Sequence, residues 1–565
     1  MLSIRKIGVI GRTYRHLTRY RQILGVFFKY GFGDFIERLK IDQYIEIGLQ
    51  MIAKDRRPRV ERLAGAQRLR MAIEELGPTY IKLGQILSTR PDLIPPDVLS
   101  ELAKLQDHVP PRDYHAIRQV FEDDFGQFPE KLFQSFSETP FASASIGQVY
   151  QARLKDGEQV AVKVQRPGVN KTIEIDLEIM LHLATLMESH IEEMVLHQPV
   201  KIVDEFAKSL EREIDYTIEA SNMERIAQLF LDDPTLYIPK VFRELTTSQI
   251  ITMEFVEGVK VSDIQALSDM GLDRKRITQR GADICLTQIF YHGFFHADPH
   301  PGNIFVLPQN VICLIDFGMV GSVDRQTREN FVDLIENVVN KDDDGTTRVL
   351  VKLALWDDEP DLRILRKDVS EFINEHVYKP LKDIDLSKVL SHLLELTSRN
   401  QLRIPPDLFL MMKALGTLEG VAAQLDPDFN LISQSVPFLE QVKLNRYHPE
   451  RISGDMMRLG SELLDFLHRF PNDLLEIARL AKQKKLTVNI RHTGLAEMRA
   501  TNDRTSNRIS FAIVIASLLI GSAIIINSEI PPFVYGISLI GIIGFSAAAV
   551  MGIWLLIAIL RKGRL

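Results

Sequence analysis

The chain has 565 residues, 45% of them apolar and 25% charged, with a formal net charge of −7. Its length leaves room for several domains and its apolar content is that of a folded protein, while the acidic balance excludes a general nucleic-acid binder. Its two cysteines, Cys285 and Cys313, give no disulfide framework, and Cys313 lies inside an apolar run as a core residue.

In residues 1–40, Arg5, Lys6, Arg12, Arg15, Arg19, Arg21 and Lys29 precede the first acid, Asp34, with Ile7, Leu17, Tyr20, Leu24 and Phe27 interleaved. This pattern suits an amphipathic helix on anionic lipid, and a solvated basic helix flanking the fold is the plainer alternative. A signal peptide is not expected, because charges run through the segment. Residues 41–135 carry a helical pattern punctuated by Pro91, Pro95-Pro96 and Pro110-Pro111. Within it Lys82 and Gln85 are three apart and share a helix face, and Gly84 between them predicts close approach of another backbone.

From Pro140 to Val164 the pattern is strand, small-residue loop, strand, Asp156-Gly157 turn, strand, with Lys163 in the last strand. Residues 171–232 read as one long helical region. There Asp215 and Glu219 stack on one face while Glu213 points elsewhere. One of the stacked pair can meet Lys163, and Lys82 is the candidate partner for the other acids. An apolar strand from Gln249 to Gly258 contains Met253, Glu254 and Val256.

The stretch His292 to Leu307 and the run Val311 to Gly318 form the centre of the chain. Asp298 and Asn303 share a Pro/Gly-rich loop, and two short apolar strands follow, the second delivering Asp316. Two carboxylates and an amide oxygen therefore converge, a hard-oxygen set suited to Mg²⁺. His292, His296 and His300 around Asp298 offer a rival reading, a His/Asp metal hydrolase.

Residues 320–500 read as helices with a charged break at Lys341 to Gly345. A core helix follows Pro405-Pro406, with Met411 and Met412 as packing residues. Ile509 to Ile526 is uncharged and about 27 Å long as a helix, enough to span hydrocarbon. A second run, Phe533 to Leu560, follows the turn Asn527 to Pro532. Arg504 and Arg508 before the first run, and Arg561, Lys562 and Arg564 after the second, put both ends in the cytoplasm. Gly536, Gly541, Gly544 and Ala547 to Ala549 allow close packing of the two helices and self-association as a homodimer.

His296-x-Asp298, Asn303 and Asp316-Phe-Gly318 resemble the catalytic loop and metal-binding motif of protein kinases, with Lys163 in the place of the Val-Ala-Ile-Lys lysine. With Lys82-x-Gly-Gln85, the loop Ala142 to Val149 and Glu213-x-Asp215, the chain resembles the UbiB family of atypical kinase-like proteins over roughly residues 40 to 430. The resemblance implies an α+β, two-lobed protein-kinase-like fold with an N-terminal helical extension and a C-terminal transmembrane hairpin. The segments expected are 1–40 (membrane-facing), 41–135 (helical extension), 136–258 (N-lobe with a helical insert), 259–430 (C-lobe), 431–508 (helical) and 509–560 (transmembrane).

The same resemblance implies ATP and Mg²⁺ as cofactors. Asp298 and Lys163 are then catalytic, and Asn303 and Asp316 hold the metal. Ala142, Ser143, Ala144, Ser145, Ile146, Gly147, Gln148, Val149, Lys163, Glu219, Glu254 and Val256 surround the nucleotide. Lys82, Gln85, Glu213 and Asp215 gate the site. The Ala/Ser loop replaces the usual glycines, so the grip on nucleotide should differ from that of an ordinary kinase. No Ala-Pro-Glu follows Gly318, which argues against phosphorylating proteins in trans. The expected role is a membrane-anchored atypical kinase or ATPase of the inner membrane supporting ubiquinone biosynthesis. Its expected partners are anionic lipid, quinone precursors and quinone-biosynthesis enzymes. A non-catalytic, nucleotide-gated scaffold is the alternative.

Overall fold

The computed structural model describes most of residues 17–446 and, as a separate unit, 495–561. Residues 1–16, 40–62, 89–93, 106–111, 377–385, 480–494 and 562–565, with shorter stretches around 192–197, 357–358 and 447–479 and a few single positions, lie outside the described residues. Arg5, Lys6, Arg12 and Arg15 of the predicted lipid-facing segment fall there, as do Gly536, Lys562 and Arg564.

An antiparallel sheet forms the N-lobe. Strands β1 (Ser135–Phe136), β2 (Ala142–Ser143), β3 (Gly147–Arg153) and β4 (Gln159–Gln165) are its first four. β3 and β4 are joined at Asp156-Gly157, where Gly157 takes a φ of +96° and the Asp156 carboxylate accepts the Glu158 N–H at 3.1 Å. In the C-lobe, β5 (Leu236–Tyr237) pairs parallel with a later strand. β6 (Ile250–Glu254) closes the first sheet against β4 and sets Lys163 opposite Ile251 and Ala161 opposite Met253. The remaining C-lobe strands are β7 (Val259–Lys260), β8 (Phe294–His296), β9 (Ile304–Leu307), β10 (Val311–Leu314) and β11 (Val320–Ser322). β9 and β10 make the hairpin that ends just before Asp316, and β8 pairs with β11 across that residue.

Helices surround these sheets. On the N-terminal side stand α1 (Leu17–Lys29), α2 (Gly65–Leu76), α3 (Pro78–Leu87) and α4 (Tyr114–Phe125). The helical insert of the N-lobe comprises α5 (Val169–His190), α6 (Pro199–Glu213) and α7 (Tyr216–Leu229). Beneath the C-lobe strands lie α8 (Arg274–Leu286), α9 (Arg325–Val339) and α10 (Pro406–Leu425), the helix predicted after Pro405. Met411 and Met412 of α10 are buried among Leu408, Leu415 and Leu418, as packing residues.

The basic N-terminal helix differs from its lipid-facing expectation. Tyr20, Ile23, Leu24 and Val26 of α1 are buried in one cluster with Ile73 and Leu76 of α2 and Ile173, Leu177 and Met180 of α5. That apolar face is covered by protein, so α1 cannot offer it to a bilayer. Two of its three cations are used as well: Lys29 pairs with Glu75 at 2.6 Å, and Arg19 forks onto Asp176 at 2.7 and 2.9 Å while also donating to Leu76 O. Asp176 is fully buried. A hydrophobic period with basic residues fits both a lipid-facing and a protein-docked helix, and the buried acceptor 157 residues away decides for the second.

The C-terminal unit consists of α11 (Leu495–Asn527), a small hairpin of β12 (Phe533–Val534) and β13 (Ile537–Ser538), and α12 (Leu539–Arg561). The second predicted span therefore starts at Leu539 rather than Phe533, because Phe533 and Val534 pair with Ser538 and Ile537 as strands. The two helices lie against each other: a Cβ on Gly541 would strike Ile526, and one on Gly544 would strike the Ser522 hydroxyl. Windows Arg508–Asn527 and Leu539–Leu556 are long and apolar enough to cross a membrane, with 6% and 11% of their residues buried. Pro406–Leu425 also meets that length and composition, but half of it is buried inside the C-lobe core.

Arg19→Ala leaves the Asp176 carboxylate buried without its guanidinium partner and is expected to destabilise the protein by roughly 3–5 kcal/mol. Arg19→Met with Asp176→Leu should recover most of that loss. Thermal unfolding of the full chain in detergent measures both, and an unchanged midpoint in Arg19→Ala would remove the pair from any structural role.

Candidate active site

Lys163 lies in β4, opposite Val149 of β3 and Ile251 of β6, and is mostly buried. Its ammonium meets both carboxylate oxygens of Glu219, at 3.0 and 2.9 Å, and Asp316 Oδ1 at 3.5 Å. Burial alone would depress the Lys163 pKa, but the Asp316 and Glu219 carboxylates hold it well above its usual value. The same ammonium is the leading cause that brings Asp316 down to about 2, against burial and with help from Lys82 and the Gly318 N–H. Asp316 is thus ionised at any physiological pH. It occupies the left-handed region, with φ +60°, and its side chain is half exposed.

Glu219 reaches Lys163 because the predicted long helix is broken. α6 ends at Glu213, Ile214 turns, and Asp215 is extended with φ −100° and caps α7 by accepting from the Thr217 N–H at 3.0 Å and hydroxyl at 2.6 Å. Gln165 pins this break by donating to Ile214 O and to Ser248 O. Asp215 and Glu219 therefore do not stack as successive turns of one helix, and Asp215 caps α7. Glu213 meets Lys82 in an ion pair that is mostly screened from solvent. Gln85 is tied to Leu105 O at 3.4 Å within the helical extension. The close approach at Gly84 is made by side chains, Leu105 and Ile73, and not by backbone.

The small-residue loop is a tight hairpin. Ala142 pairs with Val149 and Ser143 with Gln148, and the Ala144 N–H donates to Gly147 O at 2.8 Å. Arg166 fastens it by donating to Ala144 O and Ser143 Oγ, both at 2.8 Å, while its backbone N–H donates to Ile146 O. Ser145 and Gln148 are fully buried, and Gln148 accepts from the Arg112 N–H and donates to Tyr150. A Cβ at Gly147 would strike the Tyr216 hydroxyl, which is buried without a hydrogen-bond partner; the Tyr216 ring lies 5.2 Å from the Lys163 ammonium. At the β6 end, the Glu254 N–H is committed to Lys240 O at 2.9 Å, so a ligand contact there falls to its carbonyl.

Across the cleft, Asn303 donates its amide to Asp298 O at 3.3 Å, which turns the amide oxygen into the free ligand atom of that side chain. His296 braces the loop: its Nδ1 accepts the Asp298 N–H at 3.1 Å, its Nε2 faces Ile315 O at 3.3 Å, and its ring packs on Phe317. Burial keeps its pKa below the usual value, despite the pull of Ile315 O and of Asp316 and Asp298. The Phe317 carbonyl is in turn held by Asn222 of α7 at 3.1 Å. His292 packs against Phe230, and His300 accepts the Gly302 N–H. The three histidines therefore brace and cap rather than converge, which overturns the hydrolase reading. Among the described residues, the three-member His/carboxylate group that could hold a metal is Glu375, His376 and His392, on other elements.

One side chain in the site escaped the sequence reading. Lys413 of α10 places its ammonium 3.2 Å from Asp298 Oδ1 and 3.9 Å from Met319 Sδ. Its only signal was its type, the one cation in a helix otherwise dominated by apolar residues.

A strand lysine paired to a helix glutamate, facing an Asp-Phe-Gly aspartate and a loop carrying aspartate and asparagine on a two-lobed frame, defines a protein-kinase-like protein of atypical form. The chain belongs to the ABC1/UbiB family of atypical kinase-like proteins. It matches the ABC1 atypical kinase-like domain over residues 104–350, the UbiB helical domain over 369–430 and the ABC1/UbiB kinase-like C-terminal domain over 493–561. It is 33% identical over 468 residues to "Probable protein kinase UbiB" of Cellvibrio japonicus, covering 81% of this chain and 84% of that protein. It is 32% identical to a Clostridium pasteurianum protein described as "Uncharacterized protein in hydrogenase 1 5'region", covering 88% and 94% of the two chains. A solved chain, the complex of Rv3197 with erythromycin from Mycobacterium tuberculosis, shares 25% identity and a TM-score of 0.44, covering 68% of this chain and 95% of that one.

Gly147→Ala should destabilise the protein by about 1–3 kcal/mol through the clash with Tyr216. Tyr216→Phe, which removes the clashing hydroxyl, should restore a large part of the loss. A double-mutant cycle on unfolding midpoints reads the coupling, and strictly additive effects would show that the hydroxyl does not set the glycine requirement.

Proposed function

We propose that this protein is a Mg²⁺-dependent, ATP-using atypical kinase or ATPase, anchored in a membrane by its C-terminal hairpin and serving isoprenoid quinone biosynthesis. The observation that carries this reading is the Lys163–Glu219 pair set against an ionised Asp316. The donor set fits a hard cation: Asp316 presents a half-exposed carboxylate, and the Asn303 amide nitrogen is already occupied, leaving its oxygen. When bound there, Mg²⁺ would neutralise charge on the β- and γ-phosphates.

Each chain residue then has a task. Lys163 orients the α- and β-phosphates, and Glu219 keeps its ammonium aimed. The Glu254 carbonyl and the Val256 backbone hold the adenine, with Met253 behind the base. Asp298 accepts the proton of the attacking hydroxyl or water as the new O–Pγ bond forms and the bond from Pγ to the ADP oxygen breaks. The Ala/Ser hairpin closed by Arg166 has less backbone freedom than a glycine-rich loop, and Lys82 held by Glu213 adds positive charge near Asp316. Both features favour a small or lipid-borne acceptor over a peptide laid across the cleft.

The membrane part of the reading rests on two mutually packed, largely uncovered apolar helices. The cations Arg508 and Arg561 flank them, which favours a cytoplasmic kinase-like unit. A polyprenyl quinone precursor is insoluble in water, so an enzyme acting on it gains from residing in the same bilayer.

Purified full-length protein in anionic liposomes with Mg–ATP is expected to hydrolyse ATP, with further stimulation by a quinone-precursor mimic. Asp316→Asn should lower turnover by at least about 100-fold. Nucleotide binding without turnover in lipid, with and without the mimic, would sink the enzyme reading and favour a nucleotide-gated scaffold.

A further inference from the structure

We infer that Lys413, contributed by the helical domain beneath the C-lobe, is the cation that binds the γ-phosphate of the nucleotide beside Asp298. The inference rests on the ATP-using reading above and adds a phosphate-binding position from outside the kinase-like motifs.

α10 is built to be packed. Leu408, Met411, Met412, Ala414, Leu415 and Leu418 are buried on either side of Lys413. The three charged residues of the helix each have a distinct partner. Asp407 accepts from the Ser322 backbone, and Glu419 caps the helix Leu386–Arg399 by accepting from the Leu386 and Ser387 N–H groups at 2.8 Å. Lys413 alone points toward the catalytic loop, where it meets Asp298 at 3.2 Å.

Stability does not account for that placement. Lys413 and Asp298 are 25% and 38% exposed, and an ion pair so open to water contributes at most about 1 kcal/mol. Chemistry does account for it. Phosphoryl transfer spreads negative charge over the γ-phosphate oxygens, and fixed cations around that charge supply much of the rate. The other lysines of the site serve elsewhere: Lys163, held by Glu219 and Asp316, is assigned to the α- and β-phosphates, and Lys82 meets Glu213. Between Asp298 and Asn303 the loop reads Pro-His-Pro-Gly, with His300 turned to the Gly302 N–H, so the loop itself brings no fixed cation to this side. A lysine is a point charge on a flexible stem and can exchange a carboxylate for phosphate oxygens without moving its helix. On binding Mg–ATP, Lys413 leaves Asp298 for the γ-phosphate. That exchange also frees Asp298 to take the acceptor proton.

The test uses full-length protein in nanodiscs with Lys413→Met, Lys413→Arg and Asp298→Asn. Affinities are measured for Mg–ADP and for a non-hydrolysable Mg–ATP analogue, and turnover is measured with Mg–ATP. Lys413→Met should bind ADP within about twofold of wild type, lose the preference for the triphosphate, and turn over at least about 100-fold more slowly. Lys413→Arg should keep the preference and part of the turnover. Asp298→Asn should lose turnover but keep the preference, since the cation is then released to the phosphate. A Lys413→Met protein that keeps the triphosphate preference overturns the inference, as does one that loses ADP binding equally. If wild type binds both nucleotides but never turns over, the enzymatic reading fails while the triphosphate preference still decides on Lys413.

Discussion

The ammonium of Lys163 is the point on which the kinase-like core depends. It lies in the middle strand of the N-lobe sheet, yet its partners come from the helix beginning at Tyr216 and from the segment after the β9–β10 hairpin. A largely buried cation is costly unless it is paired and hydrogen-bonded, so sheet, helix and C-lobe hairpin must be brought into one arrangement to satisfy it. Two features of the sequence serve that end. The break at Ile214-Asp215 lets α7 approach at its own angle, so that Glu219, one turn inside, faces the strand. Asn222, further along the same helix, holds the Phe317 carbonyl and fixes the height at which Asp316 stands.

That dependence explains which parts of the site were legible in the sequence. Lys163, Asp298, Asn303 and Asp316 are chemically conspicuous types in or beside short apolar strands or tight loops, where spacing leaves little freedom. The β9–β10 hairpin and its delivery of Asp316 follow directly from two four-residue apolar runs. The α6–α7 junction was not legible, because Glu213, Asp215 and Glu219 suit a helical period whether or not the helix is continuous. What breaks it is a capping carboxylate and a glutamine from a strand 49 residues earlier, and no local pattern reports the second. α1 was misread for a related reason. Periodicity identifies an apolar face but not what covers it, and Asp176 is too distant in sequence to be seen as the acceptor of Arg19.

Two elements added to the kinase-like core share one property: each brings a cation to the carboxylates of the cleft. α3 of the N-terminal extension brings Lys82, whose field reaches Asp316, and α10 of the helical domain brings Lys413 to Asp298. Each of these cations is also matched to a carboxylate, so the added charge does not accumulate as mutual repulsion. An activation segment that docks peptides leaves its cleft open to a large partner. Here the same space is bordered by helices whose polar heads are already paired inward.

Membrane insertion of the C-terminal helices, as proposed above, would change what the cleft has to do. A soluble kinase must capture its acceptor from three dimensions, and a broad docking surface supplies the binding energy for that. A protein held at the bilayer meets a lipid-soluble acceptor at high effective concentration, so little additional docking surface is required. α11 and α12 are suited to such tethering, because their contact uses Gly541 and Gly544 against Ser522 and Ile526 and leaves the large Ile, Phe and Trp side chains facing outward. Were the acceptor delivered by the membrane, selection on the cleft would fall on the chemistry of transfer, and a site lined by the paired charges of Lys163, Glu219, Asp316, Asp298 and Lys413 is what that selection would keep.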